Sequence, residues 1–160
     1  MIAYPDWLPE LIEFTGDWNT YVEDIYKRFV DDVVHHKVTY KGLVVKTRYH
    51  PPSDGKGFGF WHCVSEAGLK AKEENRLPDL ERCKRIGWIR AIIEHPDDRW
   101  VKNWSNRRNG EICHLLWFNE EYLIVLAQRQ NYLLLKTAYR TNREHTKRRL
   151  SAEHDNPINS

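Results

Sequence analysis

Residues 112–138 (ICHLLWF-NEE-YLIVLAQ-RQN-YLLLKTA) contain three apolar runs of seven residues, separated by two polar connectors of three residues. Apolar runs of this length between polar connectors are typical of β-strands. A three-residue connector joins antiparallel neighbours, because a parallel crossover needs a dozen residues or more. This stretch therefore predicts an antiparallel meander with strands at 112–118, 122–128 and 132–138.

Two further strands are predicted upstream of the meander. Residues 43–49 (LVVKTRY) are rich in β-branched residues and alternate, which places the two basic residues of the strand on one face. A loop over residues 50–57 follows, with two prolines and two glycines. Residues 58–64 (FGFWHCV) then predict a second strand, with His62 inside it.

Helical periodicity marks the segments between these strands. An apolar stripe begins at Trp18 and repeats every three or four residues to Val33, and a second stripe runs from Pro78 to about Glu94. A capping-box pattern at residues 141–144 begins a last, basic helix. The order predicts an α+β fold, with helices packed on a small antiparallel sheet of about four to five strands.

The length of 160 residues fits a single domain. Within it we expect an arm and an acidic helix at 1–36, the α+β core at 38–150 and a frayed tail at 155–160. Three cysteines without paired spacing indicate a reducing compartment. Because neither a signal peptide nor an apolar run of ~20 residues is found, we expect a cytoplasmic protein without membrane contact.

The net charge of +2 hides an uneven distribution. Eight acidic and two basic residues give residues 1–32 a charge of −6, so the remaining 128 residues carry +8. Residues 129–149 contain seven basic residues and one acidic residue. This pattern predicts a polyanion-binding surface in the later part of the chain, and a solvated helix face is the alternative.

Two segments contain candidates for chemistry. His62 can act as an acid or base near neutral pH, although a buried histidine bonded to the backbone is the plainer interpretation. The end of the last strand carries Thr137 and Tyr139 on one face and Lys136 on the other, followed by Arg140. An ordinary strand edge protected by a lysine is the alternative for this second segment.

Arg82 and Arg85 are three residues apart on a predicted helix, so both guanidinium groups can reach one anion. A salt-bridged face with Glu81 as partner is the alternative.

No metal or cofactor site is expected. The adjacent pairs at 62–63 and 113–114 lie inside predicted strands, so their side chains point to opposite faces and cannot share a zinc ion. The glycine-rich loop at 55–59 lacks the phosphate-binding pattern. The side chains that remain as candidates for chemistry are histidine, cations and hydroxyl groups. This set suits RNA cleavage by attack of the 2′-hydroxyl on the neighbouring phosphate.

Three segments resemble a known group of proteins: residues 60–66 (FWHCVSE), 79–89 (DLERCKRIGWI) and 132–139 (YLLLKTAY). They are similar to the phage and prophage branch of the barnase–EndoU–colicin–RelE-like (BECR) nuclease superfamily, over roughly residues 38–150. The resemblance implies a BECR-like fold and a toxin-like, metal-independent endoribonuclease that cuts RNA, often transfer RNA. It also allows for an immunity or antitoxin protein as a partner.

The resemblance implies roles for individual residues. His62 would be the acid or base, Thr137 would orient the scissile phosphate with support from Tyr139, and Lys46 would be a catalytic cation. The residues expected to bind phosphate or RNA are Arg82, Arg85, Arg48, Lys136 and Arg140.

Two other functions remain open from the sequence. The chain could be a phage-derived protein-interaction module, or it could bind nucleic acid without catalysis. An enzyme needs His62, a cation and Thr137 within about 8–10 Å of one another in a cleft, so that one phosphate can reach all three. A protein-interaction module would expose an apolar patch, and a passive binder would show a basic groove with salt-sensitive affinity.

Overall fold

The computed structural model describes residues 3–66 and 77–158. These residues form five α-helices: α1 Trp18–Val30, α2 Phe58–Val64, α3 Leu80–Lys84, α4 Trp88–Ile93 and α5 Glu144–Asp155. They also form eight strands: β1 Thr39–Tyr40, β2 Leu43–Lys46, β3 Ser65–Glu66, β4 Leu77–Pro78, β5 Val101–Arg108, β6 Glu111–Phe118, β7 Tyr122–Gln128 and β8 Leu133–Arg140. The α+β class is confirmed.

The predicted meander is present as β6, β7 and β8. Asn119 and Glu120, between β6 and β7, have φ angles of 50° and 54°, as expected for a tight hairpin turn whose twist matches the strands. The sequence prediction missed β5, which pairs with β6 along its whole length. Its signal is the Asn109-Gly110 turn, with φ angles of 50° and 78°.

The main sheet has six strands in the order β1-β2-β8-β7-β6-β5, and β3 and β4 pair separately within the described residues. The prediction of four to five antiparallel strands is therefore wrong in two respects. The sheet is larger, and β2 runs parallel to β8, with Val45 opposite Leu133. Only a short overlap is parallel, because β2 ends at Lys46.

Residues 58–64 form a helix rather than the predicted strand. Helical spacing places Phe60, Cys63 and Val64 together in the core, and this grouping outweighs the alternation seen in the sequence. Gly59 lets α2 approach the preceding segment, since a β-carbon there would lie 2.1 Å from Thr47 Oγ1. Two backbone hydrogen bonds between residues 58–59 and residues 48–49 hold this contact.

Three predicted helix boundaries also differ from the structure. The first helix ends at Val30 and continues as a π-helical turn, Asp31–His35. The helix predicted from Pro78 to Glu94 is broken into α3 and α4, and the Arg28 guanidinium packs against the glycine between them. The last helix begins after Arg143 rather than at Thr141, whose hydroxyl instead binds Trp117 and the β6–β7 turn.

The sheet is covered on both faces. Helices α1 to α4 pack on one face, in a core that includes Leu116 and Phe118 of β6. Leu150 of α5 packs on the other face, against Leu115 and Trp117 of the same strand. The alternation along β6 therefore separates the acidic α1 from the basic α5 by the thickness of the sheet.

The irregular arm before α1 packs against distant parts of the chain. Ile12 N donates to Lys84 O at 2.9 Å, and Trp88 Nε1 donates to Pro9 O at 2.9 Å. Tyr4 contacts Trp88, Trp100 and Phe118 and donates its hydroxyl to Glu121 at 2.8 Å. The arm thus covers α3, α4 and the end of β6.

The second half of β8 positions the candidate site. On its outer side β8 pairs with β2 only through Leu133 and Leu134. Beyond that point α2 lies alongside β8, because the chain turns into this helix soon after β2 ends. The site is built where α2 takes the place that a longer β2 would occupy.

Candidate functional site

The C-terminal end of α2 is fixed by two side chains that the sequence singled out. Thr137 Oγ1 donates a hydrogen bond to the carbonyl oxygen of His62 at 2.8 Å. Arg82 Nη1 donates to the same oxygen at 3.3 Å and to Ser65 O at 2.7 Å. The last carbonyls of a helix lack partners within the helix and carry partial negative charge, so a guanidinium group suits this position.

Thr137 and Arg82 therefore meet His62 at its main-chain carbonyl. The His62 imidazole packs on Phe58, one turn earlier in α2, with ring centres 4.3 Å apart. Arg48 Cζ lies 4.3 Å from the centre of the same Phe58 ring. The imidazole and the guanidinium are therefore separated by no more than the sum of these two distances.

We call this arrangement the His62–Arg48 pair. Arg48 is exposed, and its Nε donates to His50 O at 2.6 Å, which orients the guanidinium. His62 is partly exposed on the surface of α2. The aromatic ring fixes both groups by stacking. An acid or base and a permanent cation thus contact one aromatic ring at the surface.

A polar cleft of about 400 Å³ opens at the C-terminal end of β8. Its charged walls are Glu66, Asp79, Glu81, Arg82, Arg140 and Arg143, and Tyr139 lies beneath Arg82 at 5.4 Å. Asp79 and Glu66 approach Arg82 at 3.7 and 3.8 Å, and Glu81 approaches Arg140 at 3.9 Å. The cleft therefore has acids facing most of its cations.

Arg85 does not lie beside Arg82 on a shared anion site, as the i,i+3 spacing predicted. It is 8 % exposed, stacks on Trp88 and donates to Glu81 Oε1 at 2.8 Å. The hydrogen bond from Arg85 is the main cause that lowers the pKa of Glu81. At Arg85 the structure therefore contains the salt bridge with Glu81 that was the alternative interpretation of the sequence.

Lys46 and Lys136 lie at the surface near the start and the middle of β8. Lys46 is exposed on β2, and its Nζ lies 4.9 Å from the centre of the Tyr132 ring. Lys136 is the extra residue of a β-bulge, because Thr137 pairs with Val125 and Leu135 with Leu126. The predicted alternation, which places Lys136 and Thr137 on opposite faces of β8, is therefore interrupted at this bulge. Lys136 reaches Glu111 at 3.5 Å.

Helix α5 and the residue before it carry four cations without an ion-pair partner among the described residues. Arg143, Arg148 and Arg149 are exposed and Lys147 is half-buried, and none of them forms an ion pair with another residue of the described segments. The sequence predicted this basic region without naming its residues as a site. The acidic α1 lies on the opposite face of the sheet, so it does not shield α5.

A second histidine lies in a buried polar network away from α2. His114 Nδ1 is 3.0 Å from Ser105 Oγ, and its Nε2 is 2.8 Å from Gln128 Oε1. The amide oxygen accepts from Nε2–H, which leaves Nδ1 to accept from the serine hydroxyl. Burial lowers the pKa of His114, with the nearby Lys41 acting in the same direction. This network favours a neutral imidazole.

Among residues 3–66 and 77–158, no group of three or more His, Cys, Asp or Glu side chains is arranged to hold a metal ion. Cys63, Cys83 and Cys113 are buried and form no disulfide. In the same segments, no helix has the length and apolar character needed to span a bilayer.

No family model, no curated protein and no solved structure matches this chain.

Proposed function

We propose that this protein binds RNA and cleaves it without a metal ion, by attack of a 2′-hydroxyl group on the adjacent phosphate. The observation that carries this proposal is the His62–Arg48 pair. A partly exposed imidazole and an exposed guanidinium are held by one aromatic ring at the edge of the sheet. The pair supplies a proton-transfer group and a positive charge, the two requirements of this reaction.

In the proposed reaction, His62 takes the proton of the 2′-hydroxyl or donates one to the leaving 5′-oxygen. Arg48 stabilises the additional negative charge on the phosphate oxygens. The attacking oxygen belongs to the substrate, so the protein supplies no nucleophile. DNA, which lacks the 2′-hydroxyl, is not a substrate. Proton transfer by a positioned side chain accounts for roughly 10²–10⁴-fold in rate.

Thr137 and Arg82 act as positioning residues in this proposal. Their side chains donate hydrogen bonds to the main-chain carbonyl of His62, and these bonds hold His62 at a fixed place along β8. Lys136, Tyr139 and Arg140 lie on β8 and Lys46 on the neighbouring β2, and all four would contact the RNA backbone on either side of the cleaved bond. Arg85 is left out, because it is buried against Glu81 and Trp88.

The biological setting is also part of the proposal. The resemblance to the BECR superfamily supports a toxin-like enzyme of phage origin that acts in the cytoplasm, with transfer RNA as one candidate substrate and an immunity or antitoxin protein as a partner. The basic surface of α5 supports a polyanion as ligand.

The first test is incubation of the purified protein with total RNA in excess chelator, with His62→Gln alongside. Because Thr137 and Arg82 bind the carbonyl of His62, this substitution leaves the anchoring of α2 intact. We expect discrete RNA fragments from the wild-type protein and at least about 100-fold slower cleavage by the variant.

The matched control is His35→Gln, since His35 is exposed and lies at the end of the π-helical turn after α1. This control should cleave as the wild type does. Equal cleavage by His62→Gln and wild type would remove the catalytic role of His62. Intact RNA in all reactions, with all proteins folded, would remove the nuclease proposal.

Binding of nucleic acid without catalysis is the second candidate. It is favoured by the cations of α5 that lack acidic partners, whereas the polar cleft beside Tyr139 is nearly balanced in charge. A passive binder would retain salt-sensitive affinity for RNA in the His62→Gln variant and would leave the RNA uncut in every reaction.

A further inference from the structure

A second groove lies at the end of the sheet where β5 begins, away from the His62–Arg48 pair. It has a volume of about 450 Å³ and runs between α5, the start of β5 and the β6–β7 turn. Its main lining residues are Arg99, Trp100, Lys102, Trp117, Glu120 and Lys147. We call it the Trp100 groove.

The Trp100 groove carries positive charge, and only part of it is paired with acidic side chains. Lys102 Nζ binds Glu120 Oε2 at 2.7 Å, so this cation already has a partner. Arg99 is exposed and Lys147 is half-buried, and neither forms an ion pair with any other described residue. Arg99 interacts electrostatically with the adjacent Asp98, but neither Arg99 nor Lys147 has a carboxylate within ion-pair distance among the described residues.

The groove also has an aromatic wall. Trp100 packs one side of its indole on Phe118, with ring centres 5.6 Å apart and an interplanar angle of 14°. The indole is only partly buried, and it lines the groove. Trp117 forms the floor, but it is fully buried and donates Nε1–H to Thr141 Oγ1 at 2.8 Å. Tyr4 contacts the same indole with ring centres 6.0 Å apart, and the exposed part of the indole is the aromatic surface that a planar ligand would meet.

A planar surface beside two cations fits a nucleotide of a single strand, because bases stack on aromatic rings while cations follow the backbone phosphates. The position of the groove supports the same ligand. Residues 141–143 connect the polar cleft at the end of β8 with α5, and Lys147 follows one turn later on that helix.

We propose that the Trp100 groove binds a nucleotide of single-stranded RNA outside the cleaved bond, with the base on Trp100 and the phosphate between Arg99 and Lys147. This inference rests on the proposed function for the identity of the ligand. The RNA strand runs from the edge of β8, past Arg143, to the far side of α5.

The test measures binding rather than cleavage, so its failure is distinct from failure of the nuclease proposal. The probe is a 2′-O-methyl RNA of roughly ten nucleotides, within the ~4–16 nucleotides that one small binding domain covers. This RNA has no free 2′-hydroxyl and stays intact. Affinity is measured for the wild type and for Arg99→Gln/Lys147→Gln at several salt concentrations.

We expect the double variant to bind about tenfold more weakly at low salt, with a salt slope smaller by about 0.7, since the groove holds one phosphate and each phosphate contact on a single strand contributes ~0.7. Lys27→Gln/Lys37→Gln is the matched control. It removes the same charge from exposed positions on and after α1, and its slope should change by much less.

A third variant, Trp100→Leu, tests the stacking contact and should weaken binding by roughly fivefold or more. Its fold is checked by thermal unfolding, because Trp100 also contacts Phe118 and Tyr4. Equal affinity and slope for wild type and Arg99→Gln/Lys147→Gln would overturn the groove proposal, as would an equal loss in the Lys27/Lys37 control. Binding through the groove without any RNA cleavage would support the groove proposal and would contradict only the nuclease proposal.

Discussion

Tyr21 and Tyr122 are two buried tyrosines whose hydroxyl groups have different surroundings. The Tyr21 hydroxyl donates to Ile12 O at 2.7 Å and ties the N-terminal arm to α1. The Tyr122 hydroxyl is fully buried between β7 and the helices, and it has no hydrogen-bond partner among the described residues. Burial raises the pKa of Tyr122, so its hydroxyl stays protonated.

This difference predicts opposite effects of the same substitution. Tyr122→Phe removes an unsatisfied buried polar group and should raise the free energy of unfolding by about 1 kcal/mol. Tyr21→Phe removes the hydrogen bond to the partly buried carbonyl of Ile12, so it should lower this free energy by about 1 kcal/mol. Denaturant unfolding of the two variants tests the prediction. Equal destabilisation by both would show that the Tyr122 hydroxyl has a partner.

The residues of the candidate site could be predicted from the sequence only in part. The sequence indicates His62, Thr137 and Arg82 as candidates. The sequence could not reveal that they meet at the carbonyl of His62, because that depends on how the end of α2 lies against β8. The stacking of Arg48 and His62 on Phe58 was equally hidden, since it requires Phe58 and His62 to be one helical turn apart.

At the scale of elements, α2 is the segment where local pattern and structure disagree. The sequence FGFWHCV alternates well enough for a strand, but Phe60, Cys63 and Val64 become buried together only in a helix. The meander was predictable because its strands and turns are encoded in adjacent residues. The parallel contact of β2 with β8 was not, since it joins segments nearly ninety residues apart.

A substitution at Gly59 tests the close approach of α2 to Thr47 and Arg48. In most helices Gly→Ala is stabilising, by roughly 0.5–1 kcal/mol. Here a β-carbon would lie 2.1 Å from Thr47 Oγ1 and 3.3 Å from backbone atoms of Arg48. Gly59→Ala should therefore destabilise the protein by about 2 kcal/mol, as overpacking does.

Thr47→Ala provides the matched partner for a double-mutant cycle. Thr47 Oγ1 is buried without a hydrogen-bond partner in the described residues, so its removal alone should cost little. The Thr47→Ala/Gly59→Ala protein should recover part of the lost stability in denaturant unfolding. Additive effects of the two substitutions would mean that α2 shifts away instead of colliding with Thr47.

The stability of the whole molecule should depend on pH through His114. Burial holds the pKa of His114 in the folded protein below its ordinary value of 6.5, so the folded state favours the neutral imidazole. The corresponding stability is present above the unfolded pKa and is lost as pH falls through the lower folded pKa. Protonation of Nδ1 also breaks the hydrogen bond that it accepts from Ser105.

Unfolding of wild type and His114→Gln between pH 8 and 4 measures this effect, with His35→Gln as the exposed control. We expect the wild type to lose more stability than His114→Gln as the pH falls below about 6.5. The His35 control should follow the wild type. Identical pH profiles for wild type and His114→Gln would assign the acid sensitivity to other groups.

The anchoring of the N-terminal arm has a consequence for synthesis. The arm leaves the ribosome before every segment that it contacts, yet its partners Trp88, Trp100, Phe118 and Glu121 are made many residues later. The same delay applies to α2, whose anchor Thr137 lies 75 positions downstream. Since a contact forms only after both of its segments have emerged, a nascent chain that stops before β8 lacks the hydrogen bond from Thr137 that fixes the end of α2.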